Sequence, residues 1–246
     1  MSRPLKVAIF AGEESGDQLG GALMGALNAR RSVTWRGVGG TAMLAEGLDP
    51  VFPMDDIAVN GFDAIVGRLS QLLGKIREAA DSVVAFAPDV LVIVDAPEFN
   101  QRVAKRVRRR MPGVPIVNYV SPTVWAWRPG RARAMRPHVD LLLALFPFEP
   151  AVHAELGGPR CVYVGHPLFE RARRDAPPEG DALLVLPGSR RGEIERLMGP
   201  FGEAAALAAG DRPIRLLAVP HLRERLGELA ADWPRPPEIL SGPGAK

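Results

Sequence analysis

Asp95 closes the apolar run Val90–Val94 and opens the turn Asp95-Ala-Pro-Glu-Phe-Asn100. A carboxylate at the carboxyl end of a buried strand can take a proton from a substrate hydroxyl when partial burial raises its proton affinity. The plainer alternative is that it only bonds loop amides. After the next apolar run, Val120-Ser-Pro-Thr-Val-Trp-Ala-Trp-Arg128 carries two of the four tryptophans, one residue apart, between Pro122 and Pro129. A connection from strand to helix needs only small polar residues. Ser121, Trp125, Trp127 and Arg128 in that place read as a surface that holds a ligand, or else as packing between loop and helix. Ala11-Gly-Glu-Glu-Ser-Gly-Asp17 stands where a dinucleotide fold puts its phosphate loop, but Glu13, Glu14 and Asp17 would repel a pyrophosphate. Carboxylates do suit a helix N-terminus. The loop is expected to bond sugar-like hydroxyls through Glu14, Ser15 and Asp17, or simply to cap its own helix through Ser15 and Asp17. Leu186-Pro-Gly-Ser-Arg-Arg-Gly-Glu193 has the opposite polarity. Gly188 allows close backbone approach, and Ser189, Arg190 and Arg191 suit a phosphate or diphosphate, in a sequence that is not a Walker motif. An acidic loop in the first half and a basic loop in the second would sort an uncharged hydroxyl acceptor from an anionic leaving group. No His/Cys/Asp spacing supports a metal site, and His166 in Gly165-His-Pro167 reads as a structural turn residue.

These loops need a frame, and the apolar periodicity supplies one. Strands are expected at Lys6–Phe10, Thr34–Gly37, Val90–Val94, Ile116–Val120, Leu141–Phe146, Cys161–Val164, Leu183–Leu186 and Ile214–Ala218. Helices are expected at Asp17–Arg30, Gly39–Glu46, Asp63–Phe86, Asn100–Met111 (with Asn100 as N-cap), Arg131–Met135, Glu149–Leu156, Glu193–Ala209 and His221–Ala231. The alternation implies an α/β fold: a mostly parallel sheet with helices on both faces. Residues 1–170 form a complete Rossmann-like domain on this reading. The charged, proline-rich 171–181 is a linker, and 182–246 begins a second Rossmann-like domain with two strands and two helices, too few to bury both faces of a doubly wound sheet. The helix Asp63–Phe86 carries Ile65, Val66, Leu69, Leu72, Leu73 and Ile76 on one stripe, either a core-facing seam or an interfacial surface that meets lipid. Arg102, Lys105, Arg106 and Arg108–Arg110 make a basic helix end suited to solvent or to anionic headgroups.

The 246 residues are 47% hydrophobic, with net charge +3. Mean hydropathy is +0.02 and the pI is about 9.4. Such a chain can build a sizeable core, and its mild basicity fits phosphorylated substrates, anionic lipid or nucleic acid without choosing among them. One cysteine, Cys161, excludes a disulfide framework and points to a reducing cytoplasm. Met1 to Phe10 reads as a strand rather than a signal peptide, and no apolar run approaches the ~18 residues of a spanning helix.

Six segments taken in order, Ala11–Asp17, Asp95–Asn100, Tyr119–Arg128, Phe146-Pro-Phe-Glu149, Gly165-His-Pro167 and Leu186–Arg190, resemble those of the lipid-A-disaccharide synthase family. The resemblance runs from Lys6 almost to the C-terminus. It implies an inverting glycosyltransferase of the GT-B type. Such an enzyme joins UDP-2,3-diacylglucosamine to 2,3-diacylglucosamine 1-phosphate and releases UDP, without cofactor or nucleic acid, as a peripheral protein on the cytoplasmic face of a Gram-negative inner membrane. It leaves room for a homodimer of the full-length protein. Asp95 is similar to the family's general base and Arg190 to its essential arginine. Glu14, Ser15, Asp17, Asn100, Ser121, Trp125, Trp127, Arg128, Gly188 and Ser189 fall to substrate binding, and Ile65, Val66, Leu69, Leu72 and Leu73 to the acyl or membrane patch. Glu98 stands where the family's motif more usually has Asp, and Glu14 varies within the first loop. The resemblance also implies a longer donor domain, so the Trp-x-Trp-Arg segment is expected to form one wall of an interdomain cleft whose other wall is cut short, leaving the chain by itself with little or no activity. Another UDP-sugar GT-B or epimerase-like enzyme, which would not need the Ile65–Ile76 stripe exposed, and a non-catalytic anionic-lipid or nucleic-acid binder are the alternatives. Vesicle and DNA binding, with and without Leu69→Glu and Leu72→Glu, separate them.

Overall fold

Seven strands, most of them apolar and rich in β-branched residues, build one parallel sheet in the computed structural model, which describes residues 3–57, 65–167, 169, 180–188, 191–219 and 222–241. The strands are β1 (Leu5–Ala11), β2 (Val33–Val38), β3 (Leu48–Pro50), β4 (Val90–Val94), β5 (Ile116–Tyr119), β6 (Leu141–Ala144) and β7 (Arg160–Tyr163), in the order β3-β2-β1-β4-β5-β6-β7. The helices are α1 (Glu14–Asn28), α2 (Thr41–Ala45), α3 (Ile65–Phe86), α4 (Pro97–Arg110), α5 (Gly130–Met135) and α6 (Glu149–Glu155). A parallel sheet needs both faces covered. One face buries Ala8, Phe10, Leu91, Ile93 and Ile116 against Ile76, Ala79, Ala80 and Val83 of α3 and Val103, Ala104 and Val107 of α4. The other buries Val7, Ile9, Val92 and Val94 with Met24 of α1 and Met43 of α2.

The chain divides into two compact units, Met1–Arg174 and Asp175–Lys246. The second has its own parallel sheet, β8 (Leu183–Val185), β9 (Ile214–Leu217) and β10 (Glu238–Leu240), in the order β10-β9-β8, with α7 (Arg191–Ala208) and α8 (Arg223–Ala230). Its core joins Ile194 and Met198 of α7, Leu226 of α8, Leu216 and Trp233. The sequence reading is corrected here by one strand. Glu238–Leu240 pairs with Arg215–Leu217 although it is only three residues long and starts on a glutamate.

The strand order fixes where a ligand can sit. The chain runs outward from β1 to β2 and β3, then returns past β1 to β4. The loops after β1 and β4 therefore diverge at a topological switch point, the usual crevice of an open parallel sheet. Ala11 is level with Val94, and Val94 with Tyr119, so the loops that follow β1, β4 and β5 leave the sheet side by side.

Candidate active site

Asp95 and Ala96 follow β4 in left-handed conformation, with φ of 48° and 43°. Pro97 then starts α4, its fixed φ suiting the first helical position. This corrects the expected start at Asn100, which lies one turn inside the helix. Asn100 is wholly buried, and its Nδ2 donates toward the carbonyls of Phe10 (3.1 Å), Val94 (2.9 Å) and Asp95 (2.9 Å). It ties together the ends of β1 and β4. Gly12 and Gly16 bring the first loop against this turn. A Cβ on Gly12 would stand 2.7 Å from Cβ of Ala96, and one on Gly16 would stand 3.7 Å from Cβ of Asp95. Gly12 thus serves close packing on the Asp95 turn, whereas a Cβ on Gly16 would make only ordinary contacts. Asp95 is half-buried, and among the described residues no group bonds its carboxylate.

Asp17 also departs from expectation. It is fully buried, and its oxygens accept the amides of Gly40 (2.7 Å), Ala42 (2.9 Å) and Met43 (3.1 Å). It caps α2 across the fold and does not cap its own helix. Removing it leaves three amides at a buried helix start, so Asp17→Ala is expected to cost about 3 kcal/mol in urea denaturation. Substrate affinity lost at full stability would return Asp17 to the binding set. Glu14 and Ser15 remain exposed in the first turn of α1, Glu14 accepting from Gln18 Nε2 at 3.2 Å.

Val120, at the end of β5, has φ of 78°. A β-branched residue rarely sits there, and such strain persists only where the surroundings over-determine it. The surroundings here are buried and polar. Its N–H donates to Leu143 O at 3.0 Å, and Asn118 Nδ2 donates to its carbonyl at 2.7 Å. Gln101 Nε2 donates to Asn118 Oδ1 at 2.8 Å, and Gln101 Oε1 lies 2.7 Å from His138 Nε2. His138 is 3% exposed, and burial, helped by Lys105 and Arg108, lowers its pKa to about 4. The unfolded state, near 6.5, binds a proton that the native state refuses. Stability is then complete above about pH 6.5 and falls by about 3 kcal/mol as the pH drops toward 4. Denaturation midpoints at pH 7 and pH 4.5 should separate less in His138→Gln than in the parent.

Ser121 is buried rather than open to a ligand. Its Oγ is 2.8 Å from His153 Nε2 and 3.0 Å from Pro122 O, and it also bonds the buried carboxylate of Glu149. Burial holds the His153 pKa below its usual range and the Glu149 pKa above its own. These groups anchor the loop from beneath. Sequence reading missed Asn118, Gln101, His138, Glu149 and His153 as supports, since they pair with residues far away in the chain and such pairs carry no spacing signal.

The loop itself presents rings to solvent. Trp125 is 38% exposed and packs edge-on against Phe148, with centroids 5.0 Å apart, and against Phe146 at 6.4 Å. Phe146 and Phe148 stack at 5.8 Å, and the His166 ring lies 6.5 Å from Phe146. Trp127 is 53% exposed beneath the guanidiniums of Arg128 at 4.1 Å and Arg131 at 5.3 Å. Arg128, with φ of 52°, is the other strained residue of the segment. So the structure sets Asp95, Trp125, Trp127 and Arg128 on loops, and Glu14 and Ser15 in the first turn of α1, at one end of the first sheet.

In the second unit Gly188 has φ of 107° and follows β8 as expected for a loop of special backbone shape. Ser189 and Arg190 lie outside the described residues. Of the apolar stripe, the side chains of Ile65, Val66 and Leu69 also lie outside them. Leu72 packs partly onto the core beside Ile76, whereas Leu73 is 42% exposed. No described helix is long and apolar enough to cross a membrane.

Comparison with known proteins gives this arrangement its context. Residues 7–230 match the family model described as lipid-A-disaccharide synthetase. The chain is 51% identical over 257 aligned positions to a lipid-A-disaccharide synthase of Nitrobacter hamburgensis, covering 98% of this chain and 64% of the relative. It is 50% identical to one of Rhodopseudomonas palustris, covering 98% and 65%. The chain therefore spans a little under two thirds of the length of these relatives. Among solved structures, a UDP-N-acetylglucosamine 2-epimerase from Rickettsia bellii superposes with a TM-score of 0.66 at 13% identity, covering 98% of this chain and 69% of that one. At that identity the likeness concerns the fold alone.

Proposed function

This chain belongs to the lipid-A-disaccharide synthetase family, and on that premise we propose that it carries the acceptor side of an inverting glycosyl transfer. A hydroxyl of 2,3-diacylglucosamine 1-phosphate attacks the anomeric carbon of UDP-2,3-diacylglucosamine. The Asp95 carboxylate takes the hydroxyl proton as the new C–O bond forms, and the bond to the diphosphate breaks with its electron pair leaving on UDP. The single observation behind this reading is that Asp95, with no bonding partner among the described residues, stands at the switch point of the first sheet. Glu14 and Ser15 share that end of the sheet and offer acceptors to sugar hydroxyls. The exposed faces of Trp125 and Trp127 suit the apolar face of a sugar ring or the start of an acyl chain. Arg190, on the loop after β8, is assigned to the departing diphosphate, whose growing charge it would offset.

On this proposal the first unit binds the acceptor and the second, with Gly188, Ser189 and Arg190, begins the donor site. The protein works at the anionic cytoplasmic face of the inner membrane, through the α3 segment that includes Leu73 and the exposed Arg102, Lys105, Arg109 and Arg110 of α4. A homodimer belongs to the same proposal. The test is incubation of this chain, joined to the remaining length of a family member, with both lipid substrates. Disaccharide 1-phosphate and UDP should appear in equal amounts by mass spectrometry, whereas epimerised or hydrolysed UDP-sugar without disaccharide would overturn it.

A further inference from the structure

Three guanidiniums converge on one carboxylate beside the Asp95 turn. Glu98, three residues after Asp95 in the first turn of α4, accepts a hydrogen bond from Arg131, and Arg128 and Arg102 stand 3.7 and 3.8 Å from it. The group is near the solvent, with the Glu98 side chain 62% exposed and that of Arg128 55% exposed. The four charges sum to +2, and one carboxylate cannot satisfy three forked donors. Two of the three guanidiniums are already oriented, since Arg128 and Arg131 both lie over the Trp127 ring. A stacked guanidinium loses less freedom when it meets a planar or tetrahedral oxyanion. Fixed forks in excess over carboxylate are the usual makings of a phosphate seat.

We propose that Arg128 and Arg131, with Arg102 at the edge, form the seat for the acceptor's 1-phosphate, and that Glu98 is a built-in counter-ion which the phosphate displaces. This rests on the transferase reading given above and adds to it the place of the acceptor's charged end. The seat fixes which way round the sugar lies, since its phosphate is held on the Glu98 side of the turn that carries Asp95. Glu98 then competes with the ligand instead of binding it, which gives the proposal an unusual sign.

The experiment is a titration of the 246-residue protein with glucosamine 1-phosphate, followed by the tryptophan emission to which Trp127 contributes, with inorganic phosphate and glucosamine as separate arms. Glucosamine 1-phosphate should bind more tightly than either. Arg131→Gln should weaken it about 10-fold and Arg128→Gln by a similar factor, as expected for loss of a charge-assisted bond. Glu98→Gln should tighten it about 3-fold. All three positions are at least partly exposed, and thermal melts of the variants confirm that each folds. Affinity unmoved in all three variants, or weakened by Glu98→Gln, overturns the seat. So does inorganic phosphate binding as tightly as the sugar phosphate, which would mark an unspecific anion site. The two readings fail separately. Lost transfer in Asp95→Asn, with a titration unmoved by the Arg128, Arg131 and Glu98 variants, keeps the transferase and removes the seat, and the reverse result keeps the seat and removes the transferase.

Discussion

Asp95→Asn is expected to lower the turnover of disaccharide formation by about 10²–10⁴-fold, the usual contribution of a positioned general base. The carboxamide keeps the shape of the side chain and cannot take the proton of the attacking hydroxyl. Asparagine also tolerates the left-handed backbone that Asp95 adopts, so the turn and the Asn100 bonds beneath it are kept. Substrate affinity should change little, and the loss should fall on kcat. Glu14→Gln, in the exposed first turn of α1, is expected to lose less than about 10-fold, because the proposal gives it a hydroxyl that does not react. Initial rates with both substrates saturating, in the chain joined to the remaining length of a family member, measure the two variants. Asp95→Asn turning over within about 10-fold of the parent would remove Asp95 from the base role.

Much of the frame that positions Asp95 was legible in the sequence, for a definite physical reason. Val90–Val94 is five consecutive apolar β-branched or leucine residues, which only a strand buried on both faces requires. β1, β5 and β6 are mostly apolar as well, so their ends, and the loops beyond them, could be placed within a residue or two. β3 and β10 escaped because each is three residues long, with Asp49 and Pro50 in one and Glu238 in the other. Pairing alone defines them. Within the loops, residue type fixed that Asp17, Asn100 and Ser121 must bond something, but not what. A carboxylate that caps a distant helix and one that binds a sugar hydroxyl have the same letter and the same neighbours. Burial separates them, and burial of a loop side chain depends on contacts such as Asp17 to Gly40 that join residues far apart in the chain. The strain at Val120 was equally hidden, since nothing in a valine predicts positive φ. It is imposed by Asn118 and Leu143 from outside the residue.

The second large effect concerns the donor side. The chain by itself is expected to turn over at least about 10³-fold more slowly than the same chain joined to the part of its Nitrobacter hamburgensis relative that follows the matched region. The second unit contributes a sheet of three strands among the described residues, flanked by α7 and α8. A donor with two phosphates, a ribose and a base needs contacts over a wide surface, and contacts that tighten as the diphosphate departs act on kcat as well as on KM. Each donor to a developing oxyanion is worth about 10²–10³ in rate, and the proposal gives that part to Arg190. The joined chain should regain turnover and also bind UDP, which calorimetry detects independently of transfer. Arg190→Gln in the joined chain should then lower kcat while leaving acceptor binding intact, which separates the donor role of that loop from the acceptor role of the first unit. Turnover of the 246 residues alone within about 10-fold of the joined chain would show that the first unit and its short partner already hold every group the transition state needs.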